Sequence, residues 1–202
     1  TSLLDSGLAY STVGVGINRM PGRPELASEL LKSIAKKACV FGVRDNYTLN
    51  QSHPYGQLHI CPATQYVIKM SKKAETINQK VNEQPILLHM YHPSDLRLAG
   101  VDIIKLRSSL QQIAIERNWE YKEFNNMSSD QNAAILRVAR SHVVVSSRLH
   151  GCIMSYAIGI PCVGIVCDEK LGEFISVHTH SPFVKATDLL NSNMDMCLDE
   201  KI

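Results

Sequence analysis

The chain has no run of the roughly 18 uninterrupted apolar residues that a membrane-spanning helix needs, and its first residues carry no basic-then-apolar signal pattern. It also lacks an excess of either charge. The 21 Lys and Arg against 19 Asp and Glu leave a net +2, so there is no global electrostatic case for nucleic acid or an acidic membrane. The six cysteines (Cys39, Cys61, Cys152, Cys162, Cys167 and Cys197) include no C-x-x-C pair. They read as small buried hydrophobes in a reducing compartment, not as a disulfide framework or a zinc site. A reactive thiol would have no helper residue adjacent in sequence. His89-x-x-His92 and His178-x-His180 have no third ligand at a recognisable spacing, so no metal site is expected. There is no internal repeat and no low-complexity tract.

What is present is an ordinary soluble composition, 45% hydrophobic and 20% charged over 202 residues, enough for one large domain or one domain and part of another. The first residue is not Met and the sequence opens close to a strand, Ser11 to Ile17, which suggests the carboxyl-terminal part of a longer protein. Periodicity gives the order of elements. A strand is expected over Val13–Ile17. A helix starts at Arg23-Pro24 with an apolar face of Leu26, Leu30, Leu31 and Ile34. A strand over Cys39–Val43 ends at Arg44-Asp45, and Asn46–Tyr55 reads as a polar connector. Pro85–Tyr91 is a buried parallel strand, and Ser94-Asp95 offers an N-cap to one long helix reaching about Arg117. Trp119–Phe124 alternates as a strand, and Ser128-Ser129-Asp130 caps a helix through Arg140. A βαβ unit follows, with strands over His142–Ser146 and Ile160–Val166, and then one more short helix after Ser181. The alternation from residue 85 onward implies an α/β fold with a doubly wound parallel sheet.

The chemistry concentrates in the βαβ unit. Ser147-Arg148-Leu149-His150-Gly151 stands where a strand turns into an apolar helix, and Asp168-Glu169-Lys170 follows the next strand. Ligands of open α/β sheets bind at the carboxyl ends of strands, and a helix N-terminus there favours an anion. Arg148 offers a planar fork for carboxylate or phosphate, and the first amides of the helix, from Leu149 to Cys152, lack intrahelical partners. His150 near a polyanion would be held protonated, as a general acid. The other reading is a surface arginine paired with an acidic neighbour and a histidine capping the helix, and spacing alone leaves both open. Lys170 can reach the same sheet edge or be a solvated lysine. Arg44, at the end of an earlier strand, can join an anion site or pair with Asp45.

Taken together, Val43-Arg44-Asp45, Ser147 to Gly151, Gly159-Ile160-Pro161 and Lys170-x-x-x-Phe174 resemble the polysaccharide pyruvyl transferases, over most of residues 11–175. The resemblance implies a two-domain fold similar to GT-B glycosyltransferases with the active site in the interdomain cleft. Residues 1–55 would be the end of an amino-terminal Rossmann-like domain and a connector, and residues 56–202 the GT-B-like carboxyl-terminal donor-binding domain. It implies transfer of a pyruvyl group from phosphoenolpyruvate to a sugar or lipid-linked oligosaccharide, as a ketal bridging two hydroxyls. His150 and Arg148 would be catalytic, and Arg44, Ser147, Leu149 and Lys170 would bind the donor. No cofactor and no metal are expected, because cationic side chains do the neutralising. The setting would be cytoplasmic, at the inner face of the membrane, in exopolysaccharide synthesis. The sequence departs from the family at Cys61-Pro62-Ala63, where an Asp often flanks the proline. Two other classes stay open from sequence. One is a GT-B glycosyltransferase using a nucleotide sugar, with Glu169 or Glu173 gripping the ribose. The other is a non-catalytic domain that binds an anionic sugar or a partner.

Overall fold

A computed structural model describes residues 9–16, 28–59, 61–75, 84–125, 130–179, 181–191 and 194–202. The chain divides into two compact units, Thr1–Pro62 and Ala63–Ile202. The division falls after residue 62 and not after the expected residue 55, because Gly56–Leu58 pairs with a strand of the first unit.

The first unit holds a parallel sheet of three strands in the order β1-β2-β3: β1 (Ser11–Val15), β2 (Val40–Val43) and β3 (Gly56–Leu58). Helix α1 (Ser28–Lys37) buries Leu31 and Ala35 against Phe41 and Val43 of β2. Leu30, expected on the apolar face, is instead exposed. The expected start of this helix at Arg23-Pro24, and Ile17 of the first strand, lie outside the described residues.

The connector expected over Asn46–Tyr55 is mostly a helix, α2 (Asn46–Ser52). Tyr47 and Leu49 pack on the core of this unit, and hydrogen bonds hold the ends: Asp45 Oδ1 accepts from the Thr48 amide at 2.7 Å, and Ser52 Oγ donates back to the Thr48 carbonyl at 2.8 Å. Side-chain caps of this kind satisfy the amides a helix start leaves open.

The second unit opens with α3 (Pro62–Glu75), whose first residue belongs to the unit before it. Its centre is a parallel sheet of β4 (Ile86–Tyr91), β5 (Glu120–Asn125), β6 (Val143–Ser146), β7 (Cys162–Val166) and β8 (Phe183–Lys185). The strand order is β5-β4-β6-β7-β8, all parallel. Alternate side chains feed two cores. Leu87, Val143, Val145, Val163 and Ile165 pack under α4 (Pro93–Leu98), α5 (Ile103–Glu116), α9 (Ala186–Asn191) and α10 (Met194–Asp199). Leu88, Met90, Val144 and Cys162 pack under α3, α6 (Gln131–Ala139), α7 (Leu149–Ile158) and α8 (Glu169–Phe174). A sheet buried on both faces explains why β4 and β6 read as unbroken apolar runs.

Two expectations are corrected here. The single helix from residue 94 to about 117 is two, α4 and α5. Gly100 at φ +78° turns the chain between them, and Asp102, not Ser94 or Asp95, caps α5 by accepting from the Ile104 and Lys105 amides. The N-cap of α4 is His92. The tail after Ser181 is not one helix but β8, α9 and α10. Ser128 and Ser129, the expected caps of α6, lie outside the described residues, and Asp130 does the capping.

Candidate functional site

In the order β5-β4-β6-β7-β8, the chain leaves β4 in one direction to make β5 and returns on the other side to make β6. The carboxyl ends of β4 and β6 therefore part at a topological switch point, where α/β sheets leave a crevice for ligands. Tyr91 ends β4 and Ser146 ends β6. The loops are tied at their base by the Ser147 amide donating to the Met90 carbonyl at 3.1 Å.

At this point β6 turns into α7. Arg148 is the N-cap in extended backbone, and it makes no side-chain cap bond. Its amide donates to Ser146 Oγ, which donates back to the Arg148 carbonyl, so Ser146 closes the turn below the helix. The Cys152 amide already donates to the Arg148 carbonyl, which corrects the expectation that it is open. The amides of Leu149 and Gly151, on the first turn, have no carbonyl to bond within the helix. Gly151 is where it must be: a Cβ there would sit 2.2 Å from Ser146 Oγ, so only glycine lets α7 start this close to the strand. Ser147 is buried, and its Oγ has no hydrogen-bond partner, although burying an unpaired hydroxyl is unfavourable. His150 stands exposed on the first turn of α7, one residue past the helix start, and is not its cap.

Arg148 is half-buried and paired. Nη1 donates to Asp95 Oδ2 at 2.5 Å, across the switch point from α4. This is the acidic neighbour of the surface-pair reading, and it occupies one arm of the fork. Asp95 Oδ1 lies 3.7 Å from His92 Nδ1, which is 2.6 Å from Ser94 Oγ. The same edge continues at β7. Burial, then the charges of Asp168 and Asp95, push the Cys167 thiol up to about 12, so it is no thiolate nucleophile at neutral pH. Asp168 caps α8 by accepting from the Leu171 amide at 2.9 Å, and Lys170 follows it, half-buried, on the first turn.

Ser147, Arg148, Leu149 and His150 thus stand together at the end of β6, and Lys170 follows the adjacent strand at the same sheet edge. Arg44 belongs to the first unit, at the carboxyl end of β2, with its amide donating to the Val15 carbonyl at 3.0 Å. It is not ion-paired with Asp45, which caps α2 instead. Arg44 Nε and Asp45 Oδ2 are buried without hydrogen-bond partners, and a Cβ on Gly16 would meet them at 2.6 and 2.7 Å. Asp95 was read from sequence as a helix cap. Its pairing with Arg148 depends on which strands are neighbours, which periodicity does not report.

Of the cysteines, Cys152 and Cys162 are buried with their sulfurs 3.6 Å apart, Cys39 is exposed against expectation, and all six are free. His89 is fully buried under the sheet while His92 sits at the start of α4, so the two do not share a ligand position. Among the described residues no three His, Cys, Asp or Glu side chains form a metal-binding group. No helix among them is long and apolar enough to cross a membrane.

Searches of curated proteins and of solved structures gave no match. A family model does match: the one described as polysaccharide pyruvyl transferase covers residues 7–169, from before β1 to the first residue of α8. The matched stretch holds Arg44, Asp95 and the whole turn from Ser147 to Gly151, and it stops one residue short of Lys170. Most of the 202 residues lie within it, so the chain that builds this switch point belongs to the polysaccharide pyruvyl transferase family.

Proposed function

We propose that the protein moves a pyruvyl group from phosphoenolpyruvate to a sugar of a surface or exopolysaccharide, forming a ketal across two hydroxyls. The supporting observation is the start of α7. There an uncapped helix N-terminus, the half-buried guanidinium of Arg148 and the exposed imidazole of His150 meet at the sheet's switch point. The donor carries roughly −3 of charge, a carboxylate plus a phosphate near −2. Arg148, Lys170, the Leu149 amide and the Ser147 hydroxyl bind it, and Arg44 is a further donor-binding residue. The two units are, on this reading, the carboxyl-terminal domain of a GT-B-like protein and the last piece of its amino-terminal Rossmann-like domain.

The chemistry asks for an acid at the methylene carbon. Protonated His150 delivers its proton to C3 of the donor, and C2 becomes an oxocarbenium centre. A sugar hydroxyl adds to C2 and gives its proton to the now neutral His150. A second hydroxyl of the same sugar then displaces the phosphate, which leaves with the C2–O electron pair and takes up that hydroxyl's proton, and the ketal closes. Cationic side chains neutralise the leaving phosphate, so the reading needs no cofactor. The acceptor is a sugar or lipid-linked oligosaccharide, met in the cytoplasm at the inner face of the membrane.

Thermal shift tests the donor class. A ligand present at about 100 times its Kd stabilises by about 2.7 kcal/mol. Phosphoenolpyruvate is expected to raise the melting temperature, and UDP and GDP to leave it unchanged. A rise with UDP or GDP alone would mean a nucleotide-sugar donor.

A further inference from the structure

We propose that Asp95 is a positioning residue: it fixes the guanidinium of Arg148 at the switch point so that the remaining donors of the fork meet the anionic donor substrate. The proposal rests on the functional reading above and names a residue that the sequence pattern assigns to capping a helix. Arginine loses more rotamer freedom on being fixed than almost any other side chain, so an unsupported Arg148 would bind an anion in many poses. Asp95 removes that freedom with one contact. Nη1 of Arg148 donates to Oδ2 of Asp95 at 2.5 Å, and among the described residues this is the only side-chain bond the guanidinium makes. A guanidinium has five N–H donors, so most of the fork is left for substrate.

Asp95 is itself held on both sides. It lies on the first turn of α4, where its amide donates to the His92 carbonyl at 3.1 Å and the next residue, Leu96, is fully buried. Its other oxygen faces the His92 ring at 3.7 Å. The partner side is equally fixed, because Ser146 closes the turn at Arg148 and the Ser147 amide is tied to β4. The carboxylate thus joins the ends of β4 and β6 across the crevice. A carboxylate beside an anion site repels the anion, so a residue serving ground-state affinity alone would not be an Asp. A residue that orients the cation accepts that repulsion for the sake of the transition state.

This distinguishes Asp95 from a counter-ion or a structural link. The wild-type chain, Asp95→Ala and Asp95→Asn would be compared for phosphate release from phosphoenolpyruvate with an aryl glycoside that the wild type accepts. Donor affinity would come from calorimetry, and folding from the melting temperature. Losing the charge-assisted bond is expected to lower kcat roughly 10- to 100-fold in Asp95→Ala. KM for phosphoenolpyruvate should stay level or fall, because the repulsion is gone too. Asn keeps an accepting oxygen and should recover most of the kcat.

An unchanged kcat in Asp95→Ala with tighter donor binding would overturn the proposal, leaving Asp95 a mere counter-ion. An Asn variant as slow as Ala would overturn it too. The Arg148 Nε–H resonance, read by NMR without any substrate, is expected to be ordered in the wild type and motionally averaged in Asp95→Ala. Equal order in both would sink the proposal even if phosphoenolpyruvate proved not to be the donor. A wild type inert towards phosphoenolpyruvate, with the averaging present, would instead remove the functional reading and keep the positioning role. Should Asp95→Ala fail to fold, Asp95→Glu carries the test: the longer arm keeps the charge but displaces the fork, so kcat should fall without a loss of donor affinity.

Discussion

His150 and Arg148 stand two residues apart on one turn, and the proposed reaction gives them different work. His150 is exposed on the helix start, where a side chain can reach a bound ligand without being part of its cradle. Arg148 is half-buried and anchored by Asp95. His150→Ala is therefore expected to lower turnover by roughly 10²- to 10⁴-fold, the usual worth of a general acid. It should leave the affinity for phosphoenolpyruvate within a few-fold of wild type. Arg148→Ala should lose turnover and donor affinity together. Single-turnover phosphate release and calorimetry separate the two, and near-normal phosphate release from His150→Ala would remove the proton-donor role. These residues were legible because strand, turn and helix are local features of sequence. Asp95 was not: its partner is Arg148, 53 positions away, and only the adjacency of β4 and β6 brings them together. The unpartnered hydroxyl of Ser147 was invisible for the same reason, since burial is set by the fold around it.

At the level of elements, apolar periodicity located the buried strands well and misjudged the polar helices. β4, β6 and β7 lie within the segments expected for them, because a strand covered on both faces has to be apolar throughout. α2 was taken for a connector since Asp45, Thr48 and Ser52, whose hydrogen bonds help hold it, also favour turns. α4 and α5 merged into one helix because the apolar residues on either side of Gly100 keep a helical spacing, and both helices pack into the same core. The break was signalled only by Gly100 and by Asp102, whose carboxylate takes the Ile104 and Lys105 amides at 2.9 and 3.2 Å. Asp102→Ala should therefore lower stability by about 1 kcal/mol, the usual worth of an N-cap. Urea unfolding followed by the fluorescence of Trp119, the one tryptophan of the chain, reads this in the second unit. No change in midpoint would mean that α5 is held by its apolar face alone.

At the scale of the whole second unit, the sheet that builds the switch point encloses a polar group under β4. His89 is fully buried and stacks on Tyr91, with ring centroids 4.6 Å apart. The Tyr121 hydroxyl donates to Glu123 at 2.7 Å, so it can only accept from His89, whose Nδ1 lies 3.1 Å away. The proton therefore sits on Nδ1, and Nε2 is left without a partner in the core. Burial, partly offset by the charge of Glu123 and reinforced by that of Arg107, lowers the imidazole from 6.5 to about 4. Its folded value is the depressed one, so between these values the unfolded chain binds more protons and stability rises with pH. The contribution is fully present above about pH 6.5 and is lost as the pH falls towards 4. From pH 7.5 to pH 5 the loss should be on the order of 2 kcal/mol, from a shift worth about 1.4 kcal/mol per unit. Urea midpoints read through Trp119 at the two pH values measure it. His89→Phe, an aromatic without a titrating nitrogen, should flatten the dependence over this window. If the mutant kept the wild-type slope, the acid lability would belong to other groups, and the unsatisfied Nε2 would be gaining a proton at no penalty to the fold.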